Sequence, residues 1–533
     1  MNAEKFPIWP GYREIPEETN LSWEAIDRQI NSGLGGKIAF VYDGGKISYS
    51  ELLQGVCAFS RILLDMRIKP GEKVLIRLRN SLECVFAFFG TIRIGAQPVL
   101  QNSLLSLNEV EYVLEHSGAV AAVSSNDVAA PLRDLRGKIP KGLIVSNGAW
   151  PDEISFEQAL ADNIGNILAP LQVRSDVPAF MVYTSGTTGR PKGIIHAHRW
   201  IIAQGDTNRL RIPPKEGDVV LATGEWSFIS ALGHNVCFAL RNGITAAILK
   251  ERPNPNNILA AIEKFKVTLL YSVATVYRRI LSMEGVENQY DLRSLRGCNA
   301  TGEALEAATY NEWIQRVGCP IWEHYGVSEL QLVFGQSPHL PVKPGSVGKP
   351  LPGTRVEVLD ENYEEVPVGE IGHLLIGADN PGFFLGYHKD EEKTEEVLHD
   401  GWYHTGDLAR KDEDGYIWIA GRSDDCFKSR GIFISPIEIE EVLRKNSSIA
   451  EACIVPHPDK EIGHKIRAIL VLRNGIVGND KFVNELKDDL RARIAPYKVP
   501  HMIEFLDVLP KSAVGKVLRR SLIKKRTVRS NVR

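Results

Sequence analysis

The chain has 533 residues, of which 44% are hydrophobic and 24% charged, and its formal net charge at pH 7 is −3. This charge balance argues against a strongly basic nucleic-acid-binding protein, and the seven cysteines, none in a C-x-x-C pair, argue against a disulfide framework or a zinc knuckle. We found neither an apolar run of about 18 residues nor a secretory leader, so we expect a cytoplasmic protein that binds no membrane and no nucleic acid.

Over the first 420 residues or so, apolar strand-like runs alternate with amphipathic helical segments. Lys73–Leu78 predicts a strand, and the segment from Ser81 to Ile94 predicts the helix that follows it. The alternation of helix and strand recurs at Asn256–Lys266, a predicted helix, and Val267–Val273, a predicted strand. Further buried-strand candidates are Ala179–Tyr183, Asp218–Ala222 and Thr245–Leu249. Strands separated by helices predict parallel sheets covered on both faces.

From Val342 the pattern changes to Gly, Pro and short alternating runs, which predict a small antiparallel or barrel-like unit. The polar, turn-forming segment around Asp424 predicts a domain boundary. We therefore expect an α/β fold. A large N-terminal domain, residues 1–423, would contain two αβα-type subdomains and the β-barrel-like subdomain. A small mobile α+β C-terminal domain, residues 424–533, would follow it.

The strongest motif comes directly after the predicted strand Ala179–Tyr183. It combines glycines, hydroxyl donors and a lysine, a composition that suits a polyphosphate. Its residues are Thr184, Ser185, Gly186, Thr187, Thr188, Gly189 and Lys192. Pro191 before the lysine removes an amide donor, so we expect a flap that folds over phosphates rather than a Walker loop at a helix N-terminus.

Three further motifs are weak when each is taken alone. Trp322–Glu329 offers an aromatic ring, a hydroxyl and a hard oxygen ligand for Mg²⁺. Tyr403–Asp407, with Arg422 fifteen residues beyond Asp407, offers a carboxylate at a turn. Pro510–Lys516 is a Gly-Lys turn near the end of the chain.

In this order and spacing, the four motifs resemble those of the adenylate-forming superfamily, which includes acyl- and aryl-CoA ligases, adenylation domains of peptide synthetases and firefly-type luciferases. The closest resemblance is to benzoate and 2-aminobenzoate (anthranilate) CoA ligases. It is carried by Glu251–Pro255 and Tyr271–Tyr277. The resemblance implies an enzyme that activates a carboxylic acid with ATP and Mg²⁺, releases pyrophosphate, and transfers the acyl group to coenzyme A.

The resemblance also implies roles for individual residues. Residues Thr184 to Lys192 would hold the β- and γ-phosphates, and Ser328 would touch the α-phosphate. Adenine would lie against Gly302, Glu303, Ala304, Tyr325 and Gly326, and Glu329 would bind Mg²⁺. Asp407 and Arg422 would hold the ribose. Asp424 would be the hinge, Lys516 the catalytic lysine, and Lys428, Ser429, Arg430 and Gly431 the loop on the CoA side.

An acid pocket is predicted between the strand ending near Gly224 and the turns at Gly302 and Tyr325, and the resemblance implies that the segment Gly224–His234 lines it. Large aromatic and small residues there favour a flat slot for an aromatic ring. Its predicted lining is Trp226, Phe228, Ala231, Gly233, His234, Gly326, Leu332 and Val333. Core packing accounts equally well for either aromatic residue, and the sequence identifies no acceptor for a 2-amino substituent.

Several alternatives stay open at this point. The acid could be a medium-chain fatty acid, and the thiol could belong to an acyl-carrier protein instead of free CoA. From a different class, the chain could be a nucleotide-binding scaffold without catalysis. The oligomeric state is open between monomer and homodimer, and the sequence does not distinguish degradation from biosynthesis.

Overall fold

The computed structural model describes residues 11–184, 191–423, 425–429, 432–459, 461–473, 475–511 and 517–524. The chain divides into two compact units. Unit 1 comprises Met1–Arg355 and Ile376–Tyr403, and unit 2 comprises Val356–Leu375 and His404–Arg533. The predicted division into domains 1–423 and 424–533, with Asp424 as the hinge, stays a prediction.

Unit 1 contains two large sheets. Sheet A has eight strands, parallel from Pro178–Thr184 onward and antiparallel at the first two pairings. In spatial order they are Gly386–Tyr387, Lys192–Ala197, Pro178–Thr184, Gln97–Leu100, Lys73–Arg77, Ala121–Ser125, Leu143–Ser146 and Ile154–Ser155.

Sheet B has nine strands, and its six central strands are parallel. In spatial order they are Lys349–Pro350, Phe334–Gly335, Ile321–Tyr325, Gly297–Ala300, Leu269–Ser272, Val219–Ala222, Thr245–Ala247, Ile38–Tyr42 and Gly45–Ser48. A separate short pair joins Glu18–Thr19 to Val173–Arg174. The alternation of strands and helices is thus confirmed as two mainly parallel sheets.

Several helices of unit 1 begin at a residue whose side chain caps the first turn. Ser81 accepts a hydrogen bond from the main-chain N–H of Cys84, and Asn254 accepts one from Asn257, each at the start of a helix. The α-helices are Tyr49–Asp65, Leu82–Arg93, Leu107–Ser117, Ala130–Asp134, Phe156–Asn163, Trp200–Arg211, Ile229–Ala231, Phe238–Arg241, Pro255–Phe265, Ala274–Leu281, Val286–Gln289, Ala307–Val317 and Glu391–Val397. π-Helical segments occur at Trp23–Asp27, Ile30–Leu34 and Leu232–Cys237, and a 3₁₀-helix at Arg136–Lys138.

The two faces of sheet B differ in character. Leu221, Leu270, Cys298 and Ile321 lie in register across four strands and join the hydrophobic core formed with the helices after them. Because side chains alternate between faces along a strand, their neighbours Ala222, Tyr271, Asn299 and Trp322 lie on the opposite face. Parallel α/β sheets bind ligands at the carboxyl ends of their strands.

Unit 2 contains short antiparallel strands followed by an α+β region. A five-stranded sheet, most of whose residues belong to unit 2, is formed by Val356–Leu359, Gly372–Gly377, Trp402–Lys411, Leu398–His399 and Ile417–Arg422. Phe427–Ser429 pairs with Ile432–Ile434, and Ile449–Asp459, Gly463–Leu472 and Met502–Phe505 form a three-stranded sheet. Its helices are Pro436–Arg444, Asp480–Arg493 and Arg519–Lys524, with a single tight turn at Pro496–Lys498. The expected α/β architecture is confirmed, whereas closure of a barrel stays a prediction.

None of the helices in the described ranges has both the length and the apolar composition that crossing a lipid bilayer requires.

Candidate active site

The predicted phosphate loop is flanked by two paired strands of sheet A. Pro178–Thr184 and Lys192–Ala197 run antiparallel, and Thr184 lies opposite Lys192. The two ends of the loop are therefore held side by side at the end of a rigid hairpin. Five residues predicted to bind phosphate, Ser185, Gly186, Thr187, Thr188 and Gly189, lie outside the described residues.

Tyr387 connects Lys192, the predicted phosphate ligand, with Glu329, the predicted magnesium ligand. Its hydroxyl donates a hydrogen bond to Oε1 of Glu329 at 2.5 Å, and the ammonium nitrogen of Lys192 lies 5.0 Å from the centre of its ring. Pairing with Ile194 in sheet A fixes the position of Tyr387. Burial and the nearby charge of Glu329 raise the pKa of Tyr387, so it remains a hydrogen-bond donor.

Sequence reasoning missed Tyr387. Its strand, Gly386–Tyr387, has only two residues, too few for a periodic pattern to reveal it. Tyr403 is a second residue to which sequence reasoning assigned no role of its own; burial, followed by the nearby charge of Glu329, raises the pKa of its phenol. The hydroxyl of Tyr387 thus holds the carboxylate of Glu329 in place.

Lys192 occupies an environment that weakens its affinity for a proton. Burial, followed by the like charge of Lys393, lowers the pKa of Lys192, while Asp390 and Glu329 act in the opposite direction. A polyphosphate next to Lys192 would supply the negative charge that this arrangement lacks.

Main-chain hydrogen bonds close the turn after strand Ile321–Tyr325, which we call the Gly326 turn. Gln331 donates its main-chain N–H to the carbonyl of Val327 at 2.7 Å, and Val333 donates to the carbonyl of Tyr325 at 2.9 Å. A Cβ atom at Gly326 would lie 1.5 Å from the carbonyl oxygen of Gln331, so only glycine fits. The turn presents Ser328 and Glu329 at the open end of sheet B, as ligand binding requires.

Gly302, Glu303 and Ala304 follow the neighbouring strand, Gly297–Ala300. Gly302 has a φ of +82°, a conformation that favours glycine. The carboxylate of Glu303 accepts from the main-chain N–H of Thr275 and from Arg278, the latter at 3.1 Å. Glu303 therefore fixes the shape of this turn, and its contact with adenine stays a prediction.

The predicted ribose-binding residues belong to unit 2. Asp407 and Arg422 face each other across paired strands, with Nη1 of Arg422 3.4 Å from Oδ1 of Asp407. A Cβ atom at Gly406, whose φ is +70°, would lie 2.6 Å from the guanidinium of Arg422. The turn thus lets the guanidinium approach the backbone closely.

The remaining predicted residues of unit 2 are only partly described. Lys428 and Ser429 belong to the strand Phe427–Ser429, and Ser429 is buried. Asp424, Arg430, Gly431 and Lys516 lie outside the described residues.

The predicted acid-pocket segment packs against the Gly326 turn. A Cβ atom at Gly233 would lie 2.2 Å from the side-chain amide of Gln331, the residue that also touches Gly326. The main-chain N–H of Trp226 donates to Asn80 at 2.9 Å, which anchors the start of the segment. Of the predicted lining, Trp226, Ala231, His234, Leu332 and Val333 are buried, and Phe228 is 38% exposed.

The residues at this site fit a magnesium ion that is shared with a phosphate substrate. In the described part of the chain, no three His, Cys, Asp or Glu side chains group into a metal site. Mg²⁺ commonly takes one or two protein carboxylates and completes its shell with phosphate and water oxygens. The oriented carboxylate of Glu329 suits this mode of binding.

Comparison with known families and relatives gives consistent matches along the chain. Residues 27–388 match the family of AMP-binding enzymes, and residues 438–516 match the AMP-binding enzyme C-terminal domain. A benzoate–CoA ligase from Thauera aromatica is 33% identical over 512 residues, covering 95% of this chain and 96% of the relative.

Solved structures show the same fold over nearly the whole length. The anthranilate CoA ligase AuaEII, solved in complex with anthranoyl-AMP, aligns with a TM-score of 0.87 at 28% identity, covering 95% of this chain and 97% of that one. A benzoate CoA ligase from Burkholderia xenovorans LB400 aligns with a TM-score of 0.83 at 28% identity, covering 95% and 100%.

Proposed function

The chain belongs to the family of AMP-binding enzymes, and we propose that it is an ATP-dependent ligase joining an aromatic carboxylic acid to coenzyme A. The reaction would pass through an acyl-adenylate and release pyrophosphate and then AMP. The observation that carries the proposal is the Lys192–Tyr387–Glu329 group, which sets a cation and an oriented carboxylate around one phenol. Relatives named as benzoate–CoA and anthranilate CoA ligases support the aromatic acid.

The charges in the reaction explain why such a group is needed. A carboxylate attacking the α-phosphate of ATP is repelled by the negative phosphate oxygens. Lys192 would bind the departing β- and γ-phosphates and reduce that repulsion. Glu329 would hold Mg²⁺, which when bound offsets negative charge on the phosphates.

A second lysine is needed at the reacting atoms. We assign this role to Lys516, which would neutralise the attacking carboxylate and the α-phosphate as the new bond forms. The resulting mixed anhydride is sensitive to water, so the site must exclude solvent until the thiol arrives. The CoA thiolate then attacks the same carbonyl carbon, and AMP leaves.

The test is ATP–pyrophosphate exchange with a panel of carboxylic acids, followed by thioester formation with and without CoA. We expect exchange with benzoate-type acids in the absence of CoA, and AMP release with thioester formation once CoA is added. A chain with Glu329→Gln should lose exchange, whereas Glu357→Gln, on a strand of unit 2, should retain it.

Other outcomes would identify the competing functions. Exchange with octanoate but not with aromatic acids would overturn the aromatic assignment. Transfer to an acyl-carrier protein but not to CoA would overturn the thiol assignment. Absence of exchange with every acid, in a folded protein that binds ATP, would indicate a non-catalytic nucleotide-binding scaffold.

A further inference from the structure

A group of buried polar side chains lies on the face of sheet B opposite its hydrophobic core. We call it the polar cluster; its members are His234, Tyr271, His324 and Gln331. His234 stacks on Tyr271 with ring centres 4.4 Å apart, and the ring of His324 stands edge-on to His234 at 4.7 Å. All four residues are at least 95% buried.

The polar cluster contains hydrogen-bonding atoms that the protein itself leaves unused. Within the described residues, no partner is found for Nε2 of His234, both ring nitrogens of His324, the Tyr271 hydroxyl or the side-chain amide of Gln331. An unpaired buried polar atom is costly, and most such atoms in proteins have a partner. Several in one place indicate that something else supplies the partners.

The location of the polar cluster connects it with the proposed acid site. Tyr271 and His324 lie near the carboxyl ends of two parallel strands of sheet B that are separated by one strand, Gly297–Ala300, and His324 precedes the turn that carries Glu329. Asn235, next to His234, accepts a hydrogen bond from the main-chain N–H of Ala222 and so fixes the helix over a third strand end. Gln331 packs against Gly233 and Gly326, two predicted pocket residues.

The hydrogen bonds of His234 define which of its nitrogens carries the proton. The side-chain N–H of Asn208 donates to the carbonyl of Gln204 at 2.8 Å, which leaves Oδ1 of Asn208 as an acceptor 2.8 Å from Nδ1 of His234. Nδ1 of His234 is therefore the donor. Burial, aided by the charge of Arg211, keeps the pKa of His234 well below its usual value, so the ring is neutral. Nε2 consequently presents a lone pair.

We propose that the acid activated by this enzyme carries a hydrogen-bond-donating ring substituent, an amino or hydroxyl group, and that Nε2 of His234 accepts its hydrogen. The inference rests on the proposed function, because it places the ring of an aromatic acid between the Glu329 turn and the polar cluster. His234 is then a specificity-determining residue, and Tyr271, His324 and Gln331 surround the same substituent. A site built around a hydrogen bond discriminates strongly against an analogue that lacks the donor.

The test compares isosteric substituents at the same ring position. ATP–pyrophosphate exchange is measured with benzoate and with the 2-, 3- and 4-isomers of methyl-, amino- and hydroxybenzoate. We expect one amino or hydroxy isomer to exceed the matching methyl isomer in kcat/KM by on the order of 10²-fold. Preference for the amino or the hydroxy series identifies which donor is used.

Two variants test the assignment to His234. His234→Phe keeps an aromatic ring but removes the acceptor. The kcat/KM for the preferred isomer, divided by that for its methyl counterpart, should therefore fall by about 10-fold or more. The matched control is His198→Phe, which removes another buried histidine and its hydrogen bond with the main chain of Leu21. The control should leave the ratio unchanged.

The outcomes separate this inference from the proposed function. Methyl, amino and hydroxy isomers used equally well by the wild type would show that the polar cluster binds internal water only, and would overturn the inference while the proposed function stands. A high ratio that survives His234→Phe would overturn the role of His234. Exchange with no aromatic acid would overturn both. The wild-type panel decides the main point even if His234→Phe does not fold.

Discussion

At the scale of single residues, Tyr387 shows how a neutral side chain can position a charged one. Its hydroxyl holds one oxygen of Glu329 while its ring lies beneath Lys192. The phenol is therefore a positioning residue for the proposed magnesium ligand, comparable to the hydrogen-bonded partners that orient metal ligands elsewhere.

Replacing Tyr387 with Phe should weaken the binding of Mg²⁺ and ATP without changing the KM for the acid. We expect the Mg²⁺ concentration needed for half-maximal exchange to rise by about 10-fold, because Glu329 loses the hydrogen bond that orients it. The measurement is a Mg²⁺ titration of exchange at saturating acid. Tyr49→Phe is the control, since it removes a buried hydroxyl that donates to the main chain of Ile244, and an unchanged Mg²⁺ dependence is expected there.

The lowered pKa of Lys192 predicts how ATP binding responds to alkaline pH. Burial and Lys393 favour loss of the proton, so the positive charge is present at low pH and disappears as pH rises through a pKa below the ordinary lysine value. The KM for ATP should therefore begin to rise at a lower pH than an ordinary lysine would give. Lys393→Gln removes the like charge and should move that rise to higher pH.

Profiles of kcat/KM for ATP between pH 7 and 10 would check this prediction. Lys487→Gln, which changes a lysine in unit 2, serves as the control and should leave the profile in place. If the profiles of the wild type and Lys393→Gln superimpose, the loss of kcat/KM at alkaline pH is not caused by deprotonation of Lys192.

At the scale of elements, the Gly326 turn is the tightest point of the site. Gly326→Ala would force a methyl group onto the carbonyl oxygen of Gln331, 1.5 Å away, and the turn must shift to accept it. Overpacking of this kind typically costs about 1–3 kcal/mol, and here it would also displace Glu329. We expect a lower melting temperature together with loss of exchange.

Gly137→Ala is the matched control, because a Cβ atom there meets nothing within 4 Å. It should leave both the melting temperature and the exchange rate close to those of the wild type. An active and fully stable Gly326→Ala variant would contradict the account of the turn as a position that only glycine can occupy.

The elements that sequence predicted well are those with long, regular patterns. Ser81 to Ile94 reads as a helix and is one, Leu82–Arg93, because five apolar residues recur at helical spacing. Gly386–Tyr387 is too short to carry a pattern, and its position depends on pairing with a strand almost two hundred residues earlier. Contacts of this range depend on tertiary packing, which is why the partner of Glu329 was missed.

The predicted acid pocket shows a similar limit. Trp226, Phe228, Ala231 and Gly233 suggested an apolar slot. The sequence did not indicate that Tyr271 and His324, from two strands of sheet B, would approach His234. Register across a parallel sheet sets that grouping. The acceptor that the sequence left unidentified thus emerges only from the fold.

At the scale of the whole molecule, the two half-reactions make different demands on the chain. In the proposed reaction, adenylation would need Lys516 at the reacting carboxylate, whereas thioester formation would need the thiol at the same carbon. The resemblance to adenylate-forming enzymes therefore predicts that the C-terminal domain turns about Asp424 between the two steps. Hinges of this type are a few residues that absorb a large change in backbone angles.

Two substitutions should separate the half-reactions in opposite ways. Lys516→Ala should slow pyrophosphate exchange by on the order of 10²–10³-fold while supplied acyl-AMP is still converted to the thioester. Asp424→Pro restricts the hinge backbone, so exchange should persist while thioester formation is lost. Both steps are measured for each variant, with Asp424→Ala as the control that changes the same side chain without fixing φ. Equal loss of both steps in either variant would contradict the division of labour, because a residue used in one step only cannot impair the two alike.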